Sequence, residues 1–251
     1  MPELPDLAVI AKNLKKRIEG KTVKALELHV SKKTVATELD LFKAFLNCKI
    51  KSVFREGKEL RIEIGENILG LQLMLHGDLK LVTAEAPKFP IFHLDFGGER
   101  LYLTDHQNQA RPILNPEPTD VPDALDVSRT VFNQMLSRKK TDIKTVLLDQ
   151  KNIRGIGNAY ADEILYHAEI APNSIANKVP GDELYQSMQS ILYEAIDQIS
   201  KLDPDRITGE NRDFMKVHLP KTMETLKGEA IIVDRKGPRK SYYVASQKVY
   251  N

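Results

Sequence analysis

The chain has 251 residues, of which 41% are hydrophobic and 29% are charged, and its formal net charge is only +2. This length fits one large or two modest domains with real hydrophobic cores. The single cysteine, Cys48, excludes an internal disulfide and any metal site built from a cysteine cluster. No apolar run approaches the ~20 residues that span a bilayer, and no signal-peptide pattern opens the chain. We therefore expect an intracellular protein that does not enter a membrane.

The charge is unevenly distributed. Residues 214–251 contain eight Lys or Arg and three acidic residues, a balance of +5, so the preceding 213 residues sum to −3. A basic segment on a slightly acidic body is typical of a protein that contacts phosphates with one particular surface. A solvated charged tail is the alternative.

The first predicted element is a helix. Leu7, Ile10, Leu14 and Ile18 recur at spacings of three and four, after Pro5 and before Gly20. The helix would begin just after Pro2 and Glu3, so its dipole would favour an anion there.

From Thr22 to Leu103 the pattern is largely that of β-strands, interrupted by a helix at about 38–46. Gly-containing turns separate several of the strands, and many short strands at this spacing predict a β-sandwich or barrel. The predicted strands are 23–30, 49–54, 59–64, 67–75, 78–82, 90–96 and 100–103.

Residues 115–126 contain three prolines, four acids and no base, which indicates an interdomain linker. The pattern then becomes helical, and short β-like runs return near the end. The predicted helices are 127–137, 142–149, 158–167 and 181–201, and the predicted strands are 230–233 and 241–244.

A tight turn carries Gly155-Ile156-Gly157 between two of these helices. Asn158 is a good helix N-cap, and outward-facing backbone N–H groups at a helix N-terminus bind anions. With Lys151 and Arg154 on either side, the turn is a candidate phosphate site. A turn without ligand is the alternative.

The chain begins Met1-Pro2-Glu3. If Met1 is removed, the ring nitrogen of Pro2 becomes a free secondary amine. Chain α-amino groups titrate at roughly 7.7–8.0, so such an amine is partly neutral near neutral pH and can attack a sugar aldehyde to form an iminium ion. Many proteins begin with Met-Pro and make no catalytic use of the proline, which is the alternative interpretation.

Three segments together resemble the formamidopyrimidine-DNA glycosylase / endonuclease VIII family nearly from end to end. They are Met1-Pro2-Glu3-Leu4-Pro5, Gly57-Lys58-Glu59-Leu60, and the run from Lys151 to Ala161 with its Gly-Ile-Gly-Asn block. The resemblance implies an α+β protein with an N-terminal β-sandwich (1–114), a linker (115–126), a helix–two-turns–helix domain (127–212) and a C-terminal finger hairpin (213–251).

The resemblance also implies a function. Such a protein is a DNA glycosylase and AP lyase of base excision repair, which removes oxidised bases from double-stranded DNA and cleaves the strand at abasic sites. Pro2 would form a Schiff base with the opened sugar, and Glu3 would shuttle protons. It would act as a monomer in the bacterial cytoplasm or nucleoid, with no metal and no cofactor.

By the same resemblance, four residues contact phosphates and one fills the gap left by a flipped base. The phosphate ligands are Lys58, Lys151, Asn158 and Arg239, and the void-filling residue is Leu75. Lys58 would contact the phosphate at the lesion and belong, with Pro2 and Glu3, to the catalytic residues. Lys58 and Leu75 each have an alternative interpretation. Lys58, at the start of a predicted strand, could be a solvated lysine, and Leu75 could be a core residue of its strand.

The chain departs from the family in three places. Where many members have four zinc-binding cysteines, it has Glu224, Lys227, Val244 and Gln247, so the resemblance is to members with a zincless finger. We expect that hairpin to hold its shape by packing Ile231, Ile232, Tyr242 and Tyr243. The void-filling Arg and Phe of some members are replaced by Gln107 or Asn108 and by Gln109. Asp6 stands where many members have Glu.

These departures keep two other functions open. One is a non-catalytic protein that binds damaged, abasic or branched DNA. The other is an RNA- or ribosome-associated protein, because a similar Gly-Ile-Gly hairpin occurs in a ribosomal protein. The sequence does not distinguish oxidised purines from oxidised pyrimidines as the substrate.

Overall fold

A computed structural model describes residues 1–235 and 239–251. Lys236, one of the eight basic residues of the C-terminal segment, lies outside the described residues. The chain divides into two compact units. Unit 1 comprises Met1–Thr119 with Ile199–Glu210, and unit 2 comprises Asp120–Gln198 with Asn211–Asn251. The four-segment division from the sequence is finer and stays a prediction.

The helices lie close to their predicted positions. They are α1 (Leu4–Ile18), α2 (Glu38–Phe45), α3 (Arg129–Ser137), α4 (Ile143–Leu148), α5 (Asn158–His167) and α6 (Gly181–Leu202), with a short 3-10 helix at Ala176–Lys178. In the part of the chain that the structure describes, no helix is both long and apolar enough to cross a bilayer.

Residues 1–235 and 239–251 contain ten strands. They are β1 (Ala25–Leu28), β2 (Ile50–Glu56), β3 (Glu59–Ile64), β4 (Asn67–Gln72), β5 (Asp78–Val82), β6 (Pro90–Asp95), β7 (Arg100–Thr104), β8 (Arg111–Leu114), β9 (Ile231–Asp234) and β10 (Ser241–Val244).

Unit 1 is the predicted β-sandwich. Its two antiparallel sheets have the strand orders β1-β6-β7-β5 and β2-β3-β4-β8. One apolar core includes side chains from both sheets and from α1. The α+β fold class is therefore confirmed.

Helix α1 forms as its periodicity predicts. Leu7, Ile10, Leu14 and Ile18 are all buried in the core, and the opposite face carries lysines. Pro5 stands in the first turn of the helix. A backbone N–H there has no acceptor within the helix, so the N–H that proline lacks costs no hydrogen bond. The helix packs against β2 and β3.

The sequence did not predict β8, and it extended β4 too far. Strand β8 contains Pro112, which removes a strand donor, but β8 lies at the edge of its sheet, where a proline is tolerated. Strand β4 ends at Gln72, and the residues that follow turn away instead of continuing to Leu75.

Unit 2 contains the predicted helices and ends in the antiparallel hairpin of β9 and β10. Its small apolar cluster contains Ile231 and Tyr242, as expected, together with Val217 and Val244. The expectation for Ile232 was wrong: its side chain is 38% exposed. Alternate residues of a strand point to opposite faces, so Ile232 and Tyr243, which pair across the hairpin, lie on the outer face.

His93 on β6 provides a test of the sandwich. Burial lowers the pKa of His93, and the charges of His29 and Arg100 lower it further against the opposing effect of Glu27 and Asp95. The unfolded chain therefore binds this proton more tightly than the folded chain does. The His93 contribution to folding stability is intact above the ordinary histidine pKa of about 6.5 and declines as the pH falls below it.

We expect the urea midpoint to fall between about pH 7.5 and about pH 5.5 in metal-free buffer, and to fall less in His93→Gln. Equal pH dependence of the two proteins would contradict this assignment.

Candidate active site and phosphate-binding turn

Pro2 and Glu3 lie directly at the start of α1. Pro2 is buried, and Glu3 is the N-cap of the helix with only 5% of its surface exposed. The backbone N–H of Glu3 donates to Oδ2 of Asp6 at 3.0 Å, and the N–H of Leu7 donates to the carbonyl of Glu3 at 3.0 Å. Asp6, shorter than the Glu of many relatives, thus holds the catalytic candidate in place from within the first helical turn.

A segment far along the chain lies beside this N-terminus within unit 1. The Met1 amine contacts Oε2 of Glu210 at 2.8 Å. The amide of Asn13 on α1 donates to the carbonyl of Arg206 at 3.0 Å, and Arg206 in turn donates to the carbonyl of Thr208. Glu210 is therefore a carboxylate partner for the chain amine that the sequence did not reveal, because 209 positions separate the two residues.

Lys58 lies in the two-residue turn between β2 and β3, one position before the predicted strand start. Gly57 has a φ of +56°, which the first position of such a tight hairpin turn requires, and Nη1 of Arg55 donates to its carbonyl at 3.0 Å. The Lys58 side chain is half-buried. Since α1 packs on β2 and β3, Lys58 belongs to elements adjacent to the helix that begins after Pro2 and Glu3.

Behind that turn lies a buried polar network that the sequence did not reveal. Glu59 accepts from Nε of Arg61 at 3.0 Å and from the amide of Gln72 at 3.0 Å. Nε of Arg111 donates to the other atom of the same Gln72 amide, Oε1, at 2.9 Å. The network links β3, β4 and β8, and it fixes the strand that follows Lys58.

Leu75 is displayed at the surface and is not a core strand residue. It is 61% exposed in a turn closed by the N–H of Gly77, which donates to the carbonyl of Leu73 at 2.7 Å. A Cβ on Gly77 would lie 2.0 Å from that carbonyl oxygen, so only glycine fits. The turn thus presents an apolar side chain to solvent, as void filling requires.

The loop at 105–110 lies next to this turn. The buried carboxylate of Asp105 accepts backbone N–H groups from Gln107, Gln109 and Ala110, each at 2.8 Å. Burial acts to raise the pKa of Asp105, but the three donors together outweigh it and lower that pKa. The centroid of the His106 ring lies 4.6 Å from that of the His76 ring, so the structure brings the turn that carries Leu75 and the loop that contains Gln107, Asn108 and Gln109 together.

In unit 2, the turn between α4 and α5 is held by one side chain. Oε1 of Gln150 accepts from the N–H of Gly155 at 3.0 Å, and its amide donates to the carbonyl of Ile156 at 3.0 Å. The N-cap of α5 is Gly157, not Asn158 as expected, and Asn158 is the first helical residue.

The candidate ligands at this turn differ in availability. Lys151 is exposed. Asn158 is partly exposed, and its amide donates to the carbonyl of Lys240 at 3.1 Å. Arg154, in contrast, donates from Nε to the carbonyl of Val121 at 2.7 Å, so its guanidinium fastens the linker segment to the turn.

Arg239 is exposed, next to a residue whose carbonyl is held from two directions. The carbonyl of Lys240 accepts from the Asn158 amide and from Nζ of Lys144, the latter at 2.8 Å. Nζ of Lys144 also donates to Oγ of Ser241 at 3.0 Å. Arg239 lines a pocket of about 640 Å³ together with Lys144. Since Asn158 contacts Lys240, the residue after Arg239, the structure places Asn158 and Arg239 in one region of unit 2.

Two adjacent carboxylates on α5 hold the C-terminal segment. Glu163 accepts the backbone N–H groups of Lys216, Val217 and His218 at 2.9, 2.8 and 2.7 Å. Asp162 contacts Nζ of Lys144 at 2.6 Å and Nδ1 of His218 at 2.7 Å. Both carboxylates are almost completely buried, and their partners come from the start of the finger and from α4.

Two of the four positions that carry zinc ligands in many relatives have become interior contacts. Val244 is 1% exposed and packs in the small apolar cluster. Gln247 accepts from the N–H of Val244 at 2.9 Å and donates to the carbonyl of Ile170 at 2.7 Å. The hairpin end is therefore attached by packing and hydrogen bonds.

Comparison with protein families supports the resemblance read from the sequence. Residues 1–111 match the model of the formamidopyrimidine-DNA glycosylase N-terminal domain, and residues 114–203 match that of the formamidopyrimidine-DNA glycosylase H2TH domain. The formamidopyrimidine-DNA glycosylase of Carboxydothermus hydrogenoformans is 31% identical, with 84% of each chain covered.

Solved structures show the same fold. The LlFpg protein in a complex with a THF-DNA and an inhibitor superposes with a TM-score of 0.87 at 25% identity, covering 98% of this chain and all of that one. MutM in complex with carbocyclic 8-oxo-G containing DNA has a TM-score of 0.85 at 26% identity, covering 97% of this chain and 98% of that one.

The role of Glu163 can be tested by substitution. Glu163→Ala leaves three backbone donors without their acceptor, and we expect a loss of about 3 kcal/mol in the free energy of unfolding. Glu163→Gln keeps one acceptor oxygen, so its free energy of unfolding should fall by less. Urea denaturation measures both, and hydrogen exchange at the amides of Val217 and His218 should accelerate.

Glu183→Gln, an exposed substitution in the first turn of α6, is the matched control and should leave stability unchanged. If Glu163→Ala is as stable as this control, the α5 carboxylates do not hold the finger.

Proposed function

The chain belongs to the formamidopyrimidine-DNA glycosylase family, and on that premise we propose that this DNA glycosylase of base excision repair is also an AP lyase. Its partner is double-stranded DNA with oxidised bases or abasic sites. In this proposal Pro2 is the nucleophile, Glu3 the proton shuttle, and Lys58 a phosphate ligand at the lesion. The enzyme acts as a monomer in the bacterial cytoplasm.

The observation that carries the proposal is the position of Pro2 and Glu3. They stand at the N-terminus of a buried helix, where Asp6 fixes the backbone of Glu3. The helix dipole favours the neutral amine over the protonated one, and a neutral amine is the nucleophilic form. Before Met1 is removed, the carboxylate of Glu210 contacts the Met1 amine at 2.8 Å, so it lies one residue from the Pro2 nitrogen and is a candidate proton acceptor for that amine once Met1 has gone.

The first step joins enzyme and sugar. The lone pair of the Pro2 nitrogen attacks C1′ of the damaged nucleotide, and the glycosidic bond breaks with its electron pair leaving on the base. The carboxylate of Glu3 takes the proton from the Pro2 nitrogen and delivers it to the ring oxygen as the C1′–O4′ bond opens, and the freed nitrogen lone pair forms the iminium ion. The departing base takes a proton from water.

Strand cleavage follows from the iminium ion, which acidifies the protons on C2′. Loss of one such proton expels the 3′ phosphate, and a second elimination expels the 5′ phosphate. Water then hydrolyses the iminium ion and restores the Pro2 amine. The scheme uses no metal and no cofactor.

The proposed contacts to the phosphates of the duplex lie in unit 2. Lys151, the partly exposed Asn158 amide at the start of α5, and Arg239 offer one cation, one amide donor and a second cation to DNA phosphates. Leu75 in unit 1 fills the gap left by the flipped base.

A non-catalytic DNA binder is the second candidate. It is favoured by exposed, polar residues where some members of the family have Arg and Phe: Gln107 or Asn108 at the Arg position, and Gln109 at the Phe position. The two candidates differ in covalent chemistry, since only the lyase forms an adduct with the opened sugar.

Borohydride trapping on a duplex with one abasic site tests the lyase. We expect wild type with a native N-terminus to give a covalent adduct, and Pro2→Gly to lose most of it. Glu3→Gln should abolish base excision while retaining some action on abasic sites, because the shuttle matters most when the base must leave. Glu19→Gln, exposed at the far end of α1, is the matched control and should behave as wild type.

Mass spectrometry must first show that Met1 has been removed. If the mature protein then binds the abasic duplex tightly and gives no adduct, the non-catalytic candidate replaces the lyase.

Phosphate contacts are tested by the salt dependence of DNA binding. Each lost contact should reduce the slope of log K against log salt by about 0.9, so we expect this change for Arg239→Ala and for Lys151→Ala. Arg138→Ala, an exposed arginine at the end of α3, is the control. Slopes equal to that of the control would remove both residues from the proposed surface.

A further inference from the structure

One polar cluster of unit 1 has no part in the proposed chemistry. Glu27 on β1, His29 just after β1, and His93 on β6 lie on the face of their sheet that is turned away from the core. Glu27 and His93 are direct cross-strand partners, and His29 follows Glu27 by two positions. Residues two apart on a strand share a face, so the backbone itself brings the three side chains together.

The distances within the cluster are short. Nε2 of His29 lies 3.0 Å from Nδ1 of His93, and Nδ1 of His29 lies 3.2 Å from Oε1 of Glu27. One ligand atom of each residue lies within 4.8 Å of the other two. Two ligands bound about 2.0–2.1 Å from a tetrahedral zinc ion stand roughly 3.3 Å apart, which the two imidazole nitrogens already approach.

The imidazoles are held in place by their surroundings. The His93 ring packs against Tyr102 of β7, with ring centroids 4.8 Å apart, and the His29 ring stacks on His93 at 5.2 Å. Tyr102 is the direct cross-strand partner of His93 and is 2% exposed. The ligands are therefore ordered by packing before any ion arrives.

We propose that Glu27, His29 and His93 form a binding site for a divalent transition-metal ion, with Zn²⁺ the best match to two imidazole nitrogens and one carboxylate oxygen. Nε2 of His29 and Nδ1 of His93 give their lone pairs to the ion, and Glu27 supplies the third ligand. One proton lies between Nε2 of His29 and Nδ1 of His93. When the ion binds, that proton moves to the other nitrogen of its own ring, Nδ1 of His29 or Nε2 of His93, so both rings bind the ion as neutral imidazoles. Water completes the coordination.

The site would strengthen one edge of the sandwich. Strand β1 is the edge strand of its sheet and pairs with β6 alone in that sheet. An ion bound by residues of both strands adds a cross-link between them. Because the Pro2 chemistry uses none of these three residues, metal binding should not require DNA.

The test uses the full-length protein without a histidine tag. Isothermal titration with ZnCl₂ should show one ion per chain, and His29→Gln and His93→Gln should each weaken binding at least about tenfold. Glu27→Gln should also weaken it. An X-ray data set at the zinc edge should place one anomalous peak between the three side chains.

His76→Gln is the matched control, since His76 and His106 form a second histidine pair in the same unit, with ring centroids 4.6 Å apart. This variant should bind zinc as wild type does. The proposal is overturned if wild type binds no zinc saturably, if the anomalous peak lies at His76 and His106, or if His29→Gln binds as wild type. His29 is more exposed than His93, so its variant tests the site even if His93→Gln unfolds.

Discussion

The arrangement of unit 2 depends on two neighbouring carboxylates, Asp162 and Glu163, which lie almost fully buried on α5. A buried carboxylate is costly unless charged or hydrogen-bonding partners surround it, and here the partners come from distant parts of the chain. Glu163 takes three consecutive backbone N–H groups that end at His218, and Asp162 takes the His218 ring and Lys144. Since Lys144 also holds the carbonyl of Lys240, the start of the finger and the residue before β10 are attached to α5 and α4, the two helices on either side of the Gly155-Ile156-Gly157 turn.

This attachment explains how a finger can persist at positions that cannot bind zinc. A metal ion concentrates the cross-linking energy in four bonds at one point. In this chain the same task is divided among the α5 carboxylates, the apolar cluster around Val244, and Gln247, whose amide joins the hairpin end to Ile170. Distributed contacts have one functional consequence: removal of a single one loosens the finger without releasing all of it. The segment that carries Arg239 is thus attached to the helices of unit 2 by these protein contacts.

Much of the fold follows from local pattern. The four apolar residues of α1, from Leu7 to Ile18, predicted its buried face. The short strands between turn glycines predicted a sandwich or a barrel, and the structure shows the sandwich. The candidate residues Pro2, Glu3 and Lys58 could be named because their roles rest on the family resemblance, and the structure places them at a helix start and in a tight hairpin turn. Boundaries were less accurate: β4 stops before Leu75, since a tight turn at Gly77 ends the strand.

By itself, then, the sequence determined the helices and most of the strands, because helical periodicity, strand alternation and turn glycines act over a few residues. It determined the family through the three segments that resemble it. Only the tertiary structure decided which side chains meet. Glu210 reaches the chain amine across 209 positions, Arg154 turns from the expected phosphate site to the carbonyl of Val121, and Ile232 faces outward while Val244 packs inside. Each of these outcomes depends on strand register and on pairing between residues far apart in the chain, which no local pattern encodes.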